Sequence, residues 1–244
     1  MTNAINLVEV FSSIQGEGEY VGCRQVFVRL AGCNLQCNYC DTPTSRQIPD
    51  TCRIEGNAGQ RDFIEVANPM NPEALAAVIN GLLDKPHHSV SFTGGEPLCQ
   101  AEALNQVAGK IKGKTYLETN GTLPVELEKV IDNIDIISMD IKLPVTTGCP
   151  LWEEHRQFLE LALAKNVFVK LVIDAGIDID HFDQAVHLVA AVSTEIPLIL
   201  QPVTPINDCK AIDPDQVIEL QSRALNILKN VKVIPQTHKF LGQL

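Results

Sequence analysis

Cys33, Cys37 and Cys40 stand in "AGCNLQCNYCDT" (31–42) with the spacing C-x3-C-x2-C. Three thiolates on one short loop can bind a soft metal centre. A closed structural zinc site needs four ligands, and its usual signature is two C-x2-C pairs. The remaining cysteines, Cys23, Cys52, Cys99, Cys149 and Cys209, are scattered singly. A three-ligand loop therefore suits a centre that keeps a coordination position open, such as a 4Fe-4S cluster whose fourth iron takes a small molecule. On spacing alone, an incomplete zinc site and merely adjacent buried thiols remain open as alternatives.

Other residues able to do chemistry recur at a regular place. Thr93, Gly94, Gly95 and Glu96 follow the apolar run "SVSF", and Glu118, Thr119 and Asn120 follow "TYL". Ser138, Asp140 and Lys142 lie in or just after "DIIS", and Gln201 follows "LIL". Polar groups at the carboxyl ends of successive strands mark the active-site end of parallel α/β folds and barrels.

The elements that must position them are legible from the apolar pattern. Strand-like runs fall at 25–32, 89–95, 115–121, 135–142, 167–174, 197–203 and 231–236. Asn71-Pro72 and Asp213-Pro214 read as N-cap and first helical residue, the former followed by Leu75, Val78, Ile79 and Leu82 at helical spacing. Further helices are predicted near 100–112, 124–132, 152–165 and 180–192. Continuous apolar strands with helical crossovers imply an α/β fold with a parallel sheet covered on both faces. With six to seven strands it is an incomplete parallel (β/α) barrel, open enough for a sizeable substrate. Residues 43–71, rich in polar residues, proline and glycine, read as an irregular insertion, with Cys52 as a free thiol.

Composition bounds the function. At 244 residues and 45% hydrophobic content, the expectation is one domain over 1–244 with a full core. The chain carries 30 acidic and 19 basic residues, a formal charge of -11, which argues against broad electrostatic binding of nucleic acid. No run of 18 apolar residues and no signal-like start appear, so the expectation is a cytoplasmic protein with no membrane partner and a small-molecule substrate. Eight cysteines in a reducing compartment are ligands or small buried hydrophobes before they are disulfides.

The cysteine loop after the first strand-like run, Tyr39 just before its last cysteine, and "TGGEP" (93–97) after the next run together resemble the radical S-adenosylmethionine (SAM) superfamily. In that resemblance SAM is the missing fourth ligand of the cluster. A narrower resemblance runs in register along nearly the whole chain: "FSSIQGEGEYVG" (11–22), "FVRLAGCNLQCNYCDT" (27–42), "ETNGT" (118–122), "SMDIK" (138–142), "LQPV" (200–203) and "QTHKFL" (236–241). These are similar to the 7-carboxy-7-deazaguanine synthases. That similarity implies conversion of 6-carboxy-5,6,7,8-tetrahydropterin to 7-carboxy-7-deazaguanine with loss of ammonia, in the biosynthesis of queuosine-type 7-deazapurines. It also implies a Mg2+ requirement, a homodimer, and a reducing partner such as flavodoxin or ferredoxin.

The resemblance carries roles onto individual positions. Cys33, Cys37 and Cys40 would hold the cluster, and no further catalytic side chain is implied. Ile14, Gln15 and Gly16 would read the pterin largely through backbone groups, with Glu17 as an acceptor for its aminopyrimidinone edge. Arg29 would clamp the pterin carboxylate with its guanidinium fork, Thr93 would touch substrate, and His238 would close over it. Thr42 corresponds to a Mg2+ ligand. Tyr39, Gly94, Gly95, Glu96, Glu118, Ser138, Asp140, Lys142 and Gln201 would line the SAM pocket, the glycines admitting its methionyl end and Glu96 facing its ammonium.

Plainer roles stand beside these: a tight turn for the glycines, a solvated strand-end charge for Arg29, turn formation for Ser138 and Asp140, a lysine pair for Glu118 and a structural histidine at 238. Two rival functions are a different radical SAM enzyme, such as a glycyl-radical activase, and a non-enzymatic module stapled by zinc.

Overall fold

The computed structural model describes residues 4–207 and 209–243. All seven predicted strands form and pair in parallel: β2 (Arg24–Leu30), β5 (Ser89–Gly94), β6 (Thr115–Thr119), β7 (Ile136–Asp140), β8 (Asn166–Ile173), β9 (Leu198–Pro202) and β10 (Val231–Val233). Three more complete a 10-stranded sheet: β1 (Leu7–Ile14), antiparallel to β2, then β3 (Thr51–Glu55) and β4 (Phe63–Ala67). The order is β10-β9-β8-β7-β6-β5-β2-β1-β3-β4, with β10 and β4 as free edges. The sheet is thus an incomplete parallel barrel with an antiparallel extension.

That extension corrects the reading of 43–71 as irregular. Thr51–Glu55 pairs with Phe63–Ala67 as a hairpin, and β3 runs parallel to β1. Cys52 is a buried free thiol on this hairpin, next to Ile54 in the core.

The helices are α1 (Pro72–Leu82), α2 (Ala101–Ala108), α3 (Pro124–Val130), α4 (Pro144–Thr147), α5 (Trp152–Ala162), α6 (Ile179–Val192), α7 (Pro214–Leu225) and α8 (Thr237–Leu241). Asn71 caps α1 by accepting from the Glu73 and Ala74 amides, and Asp213 caps α7 through the Asp215 amide. Each satisfies backbone donors that a helix start leaves unpaired. Leu75, Ile79 and Leu82 of α1 are buried, as the helical spacing requires.

Period-two alternation along the strands gives the two faces opposite fates. Val90 and Phe92, Leu117, Ile137 and Met139, Val169 and Leu171, and Leu198 and Leu200 point outward into one core with the buried faces of the helices. The intervening positions point inward. Tyr116, Ile136, Phe168 and Ile199 form a small apolar plug there, covered by Tyr20. Beyond the plug, toward the carboxyl ends, inward positions turn polar: Thr93, Glu118, Ser138, Asp140, Lys170 and Gln201 face a cavity. The sheet is therefore helix-covered on one face only; its inner face is the site. No helix among the described residues is long and apolar enough to cross a membrane.

Candidate active site

The cavity measures about 520 Å3. Cys33, Cys37 and Cys40 lie on its wall, half-exposed, on the loop that leaves β2. The loop is pinned from several sides. Gly32 donates to the Ser45 carbonyl at 2.7 Å, Arg46 to the Cys37 carbonyl at 2.9 Å, and the Asn207 side chain to the Asn38 carbonyl at 2.8 Å. Burial raises the thiol pKa of Cys33 and Cys37, and the nearby Lys142 ammonium opposes that rise. A soft metal centre that displaces the protons is the natural partner of such thiols.

The glycines after β5 have a different reason from the one their sequence suggests. A Cβ on Gly95 would sit 1.9 Å from the Gly32 carbonyl oxygen. Gly94, at φ +113, would place a Cβ 2.4 Å from the Leu30 oxygen. Both face the cavity, but what demands glycine is the cysteine loop pressed against them. Gly95 donates to Leu30 and Glu96 to Gly32, locking the two loops together at 3.0 and 2.8 Å.

Glu96 is the site residue that the structure removes from the cavity. It is fully buried, and its carboxylate accepts from the Leu98 and Asn120 amides and the Thr119 hydroxyl at 2.7–3.0 Å. It organises the Thr119–Gly121 turn in place of facing an ammonium. Burial pushes its pKa from 4.5 to about 7, against the pull of those three donors. A carboxyl whose folded pKa is raised is most favourable below its unfolded value of 4.5, and its contribution declines as pH rises through 7. Glu96→Gln turns an amide group toward donors, so we expect a loss of about 1–3 kcal/mol and a weaker fall of stability across that pH range. Urea unfolding on either side of the range reads both; an unchanged midpoint and slope would contradict this role.

Gln15, Ser91 and Thr93 converge on Glu118. Its carboxylate accepts from Gln15 and Ser91, each at 2.9 Å, and from Thr93 at 3.1 Å. These partners are neutral and tie Glu118 on β6 to Ser91 and Thr93 on β5 and to Gln15 just after β1. Thr93 spends its proton on Glu118 and presents acceptor lone pairs. The Gln15 amide pairs with Cys23, its carbonyl with Gly22, and its side chain also reaches Gln25 at 2.9 Å. Ile14 and Gly16 border the same cavity. Gly16 packs directly under His238, where a Cβ would meet the ring nitrogen at 2.3 Å, and its carbonyl accepts from Thr237 at 2.8 Å. The terminal segment is thereby seated on the "IQGEG" loop.

Arg29 lines the cavity with its Nε tied to Glu9 at 3.0 Å and its guanidinium 5.7 Å from the Phe11 ring centre. Arg53, from the β3–β4 hairpin, also pairs with Glu9. The Nη groups of Arg29 have no hydrogen-bond partner among the described residues.

Two buried oxygens, Asp140 Oδ1 and Gln201 Oε1, have no hydrogen-bond partner among the described residues and belong to residues that line the cavity. Buried polar atoms are ordinarily satisfied, so these two are placed to meet donors of a bound molecule. Ser138 lies beside them, and the Lys142 ammonium sits 4.9 Å over the Tyr39 ring while pairing with Asp140 Oδ2 at 2.8 Å. On the same cavity wall as Thr42, the ligand atoms of Glu17, Asp41 and His238, two carboxylate oxygens and an imidazole nitrogen, lie within 4.8 Å of one another.

Sequence reasoning missed Lys170, Asp41 and Gln236 of this wall. Lys170 had a signal: it is the only charge inside the apolar run "VFVKLVI".

The chain also has relatives. A family profile described as "4Fe-4S single cluster domain" matches residues 14–161. The 7-carboxy-7-deazaguanine synthase of Geobacter sulfurreducens is 46% identical, over 98% of this chain and 97% of that protein. The enzyme of that name from Methanothermobacter thermautotrophicus is 33% identical, over 97% and 96%. Among solved structures, QueE from Escherichia coli superposes with a TM-score of 0.61 at 20% identity, over 96% of this chain and 95% of that one. A radical SAM methyltransferase from Sphaerobacter thermophilus gives 0.59 at 10% identity, over 86% and 66%. The two structures share the fold.

Proposed function

The chain belongs to the 7-carboxy-7-deazaguanine synthase family of radical SAM enzymes, and from that premise we propose how its cavity divides between cofactor and substrate. It is a lyase that converts 6-carboxy-5,6,7,8-tetrahydropterin to 7-carboxy-7-deazaguanine with loss of ammonia. The zinc-stapled module and the glycyl-radical activase are not favoured, because identity to the synthases runs the length of the chain. The observation that carries the reading is one cavity bordered both by three half-exposed thiols and by an arginine held ready for a carboxylate.

Cys33, Cys37 and Cys40 hold the 4Fe-4S cluster. Asp140 Oδ1, Gln201 and Ser138 meet SAM, with Lys142 and Tyr39 alongside; unpartnered buried acceptors suit a ligand rich in N–H and O–H groups. When bound, cluster and SAM supply the one-electron chemistry that takes a hydrogen from the substrate.

The chain's own groups bind and orient. Arg29 takes the pterin carboxylate through its free Nη edge while Glu9 fixes its angle. Thr93 offers acceptor lone pairs, and Glu17 accepts from the aminopyrimidinone edge. His238, seated on Gly16, closes the pocket and limits water. Thr42 ligates Mg2+, with the neighbouring Asp41 carboxylate as a second oxygen; a metal that keeps waters and binds substrate oxygens needs few protein ligands. The enzyme works as a cytoplasmic homodimer supplied with electrons by a flavodoxin or ferredoxin.

Anaerobic calorimetry on the reconstituted protein with SAM and Mg2+ tests the division. The 6-carboxypterin should bind well and its analogue with methyl in place of carboxylate poorly. Equal affinity for both would remove carboxylate recognition from the account.

A further inference from the structure

Lys170 is a buried lysine on the cavity wall that the roles above leave unused. It stands on β8 in register with Asp140 on β7. Its Nζ pairs with Glu17 and lies 3.5 Å from Asp140 Oδ2. One ammonium thus spans two carboxylates from opposite parts of the site, Glu17 on the "IQGEG" loop and Asp140 on the SAM side. Burial disfavours a charged lysine and a charged glutamate alike, yet their pairing holds the Lys170 pKa above its ordinary value and brings Glu17 down to about 2. Both charges stay in place.

The two carboxylates differ in what else holds them. Asp140 Oδ2 keeps Lys142 if Lys170 is removed, whereas Glu17 retains, among the described residues, only the Gln236 amide at 2.8 Å as a close side-chain donor. Gln236 also bonds Asp41 at 2.9 Å, and Lys239 donates to Gln236 at 2.6 Å, so Glu17 leads on to the cluster loop and the terminal helix. A cation fixed between Glu17 and Asp140 therefore sets the spacing of the two halves of the cavity.

We propose that Lys170 is a positioning residue that holds Glu17 and Asp140 at a fixed separation, so that pterin and SAM bind in one mutual geometry. This rests on the functional reading above. A bare ammonium shared by two carboxylates is also what keeps them from repelling each other across a dry cavity. Losing it lets Glu17 swing toward His238 and loosens Asp140 less.

The test is a set of double-mutant cycles read by anaerobic calorimetry on the reconstituted protein, with SAM and the 6-carboxypterin as separate titrants. Glu17→Gln should weaken the pterin alone and Asp140→Asn SAM alone. Lys170→Met should weaken both, the pterin by roughly tenfold or more and SAM by a smaller factor. The cycles should be non-additive: Lys170→Met should add little to Glu17→Gln for the pterin or to Asp140→Asn for SAM. Lys170→Arg, which keeps a cation between the carboxylates, should restore both affinities and guards against a simple folding defect, with thermal unfolding as the control. Additive cycles, weakening of one ligand only, or no effect of Lys170→Met would overturn the proposal. Failure of the wild-type protein to bind the pterin at all would instead overturn the functional reading, and this inference with it.

Discussion

Cys33→Ala, Cys37→Ala and Cys40→Ala are each expected to abolish the 4Fe-4S cluster and all turnover. The three thiols are the half-exposed sulfurs that share the cavity wall, so none has a substitute at hand. Losing one leaves an iron held by solvent, open to oxidation and release. Cys99 lies near enough for the charge of Cys33 to act on its thiol, but it is absent from the cavity wall. Cys99→Ser should therefore keep the cluster, as should replacement of Cys23, Cys52, Cys149 or Cys209. Iron content and electron paramagnetic resonance after anaerobic reconstitution measure the outcome. A full 4Fe-4S signal in the Cys37→Ala protein would refute the ligand assignment.

Arg29→Ala should impair pterin binding more than any other single change on the substrate side. Its guanidinium is held in advance by Glu9, by the Phe11 ring nearby and by the strand pair β1–β2, so little ordering remains when the carboxylate arrives. Breaking a buried charge-assisted pair costs about 2–5 kcal/mol, which corresponds to a fall in affinity of roughly 30-fold to several thousandfold. SAM affinity should change little, because the hydrogen bond of Arg29 goes to Glu9 and, among the described residues, none runs to Asp140, Ser138 or Gln201. Calorimetry with each ligand in turn separates the two. Unchanged pterin affinity would move Arg29 out of the site.

Much of this architecture is legible in the sequence, for a physical reason. Strands β2 and β5–β10 are apolar runs because their outward residues meet a helix layer, and the polar residues that interrupt them fall at inward positions near the carboxyl ends. What stays hidden depends on contacts between distant segments. The β3–β4 hairpin has little buried surface on β4, with Ile64 58% exposed at the sheet edge, so its sequence lacks a core signal. Gly95 is recognisable as a special glycine, but only the folded chain shows that the Gly32 carbonyl is what excludes a side chain. Glu96 reads as a ligand-facing acid until the Thr119–Gly121 turn is seen to claim it. Lys170 gains its meaning from Glu17, 153 positions away in the chain.

The synthase activity is tested most directly by anaerobic incubation of the reconstituted protein with reductant, SAM, Mg2+ and 6-carboxy-5,6,7,8-tetrahydropterin, followed by mass analysis of the products. The result expected is 7-carboxy-7-deazaguanine, lighter than the substrate by one ammonia, formed only when all components and the three cysteines of the cluster loop are present. Recovery of the unchanged pterin from a protein that carries a full cluster and binds SAM would contradict it.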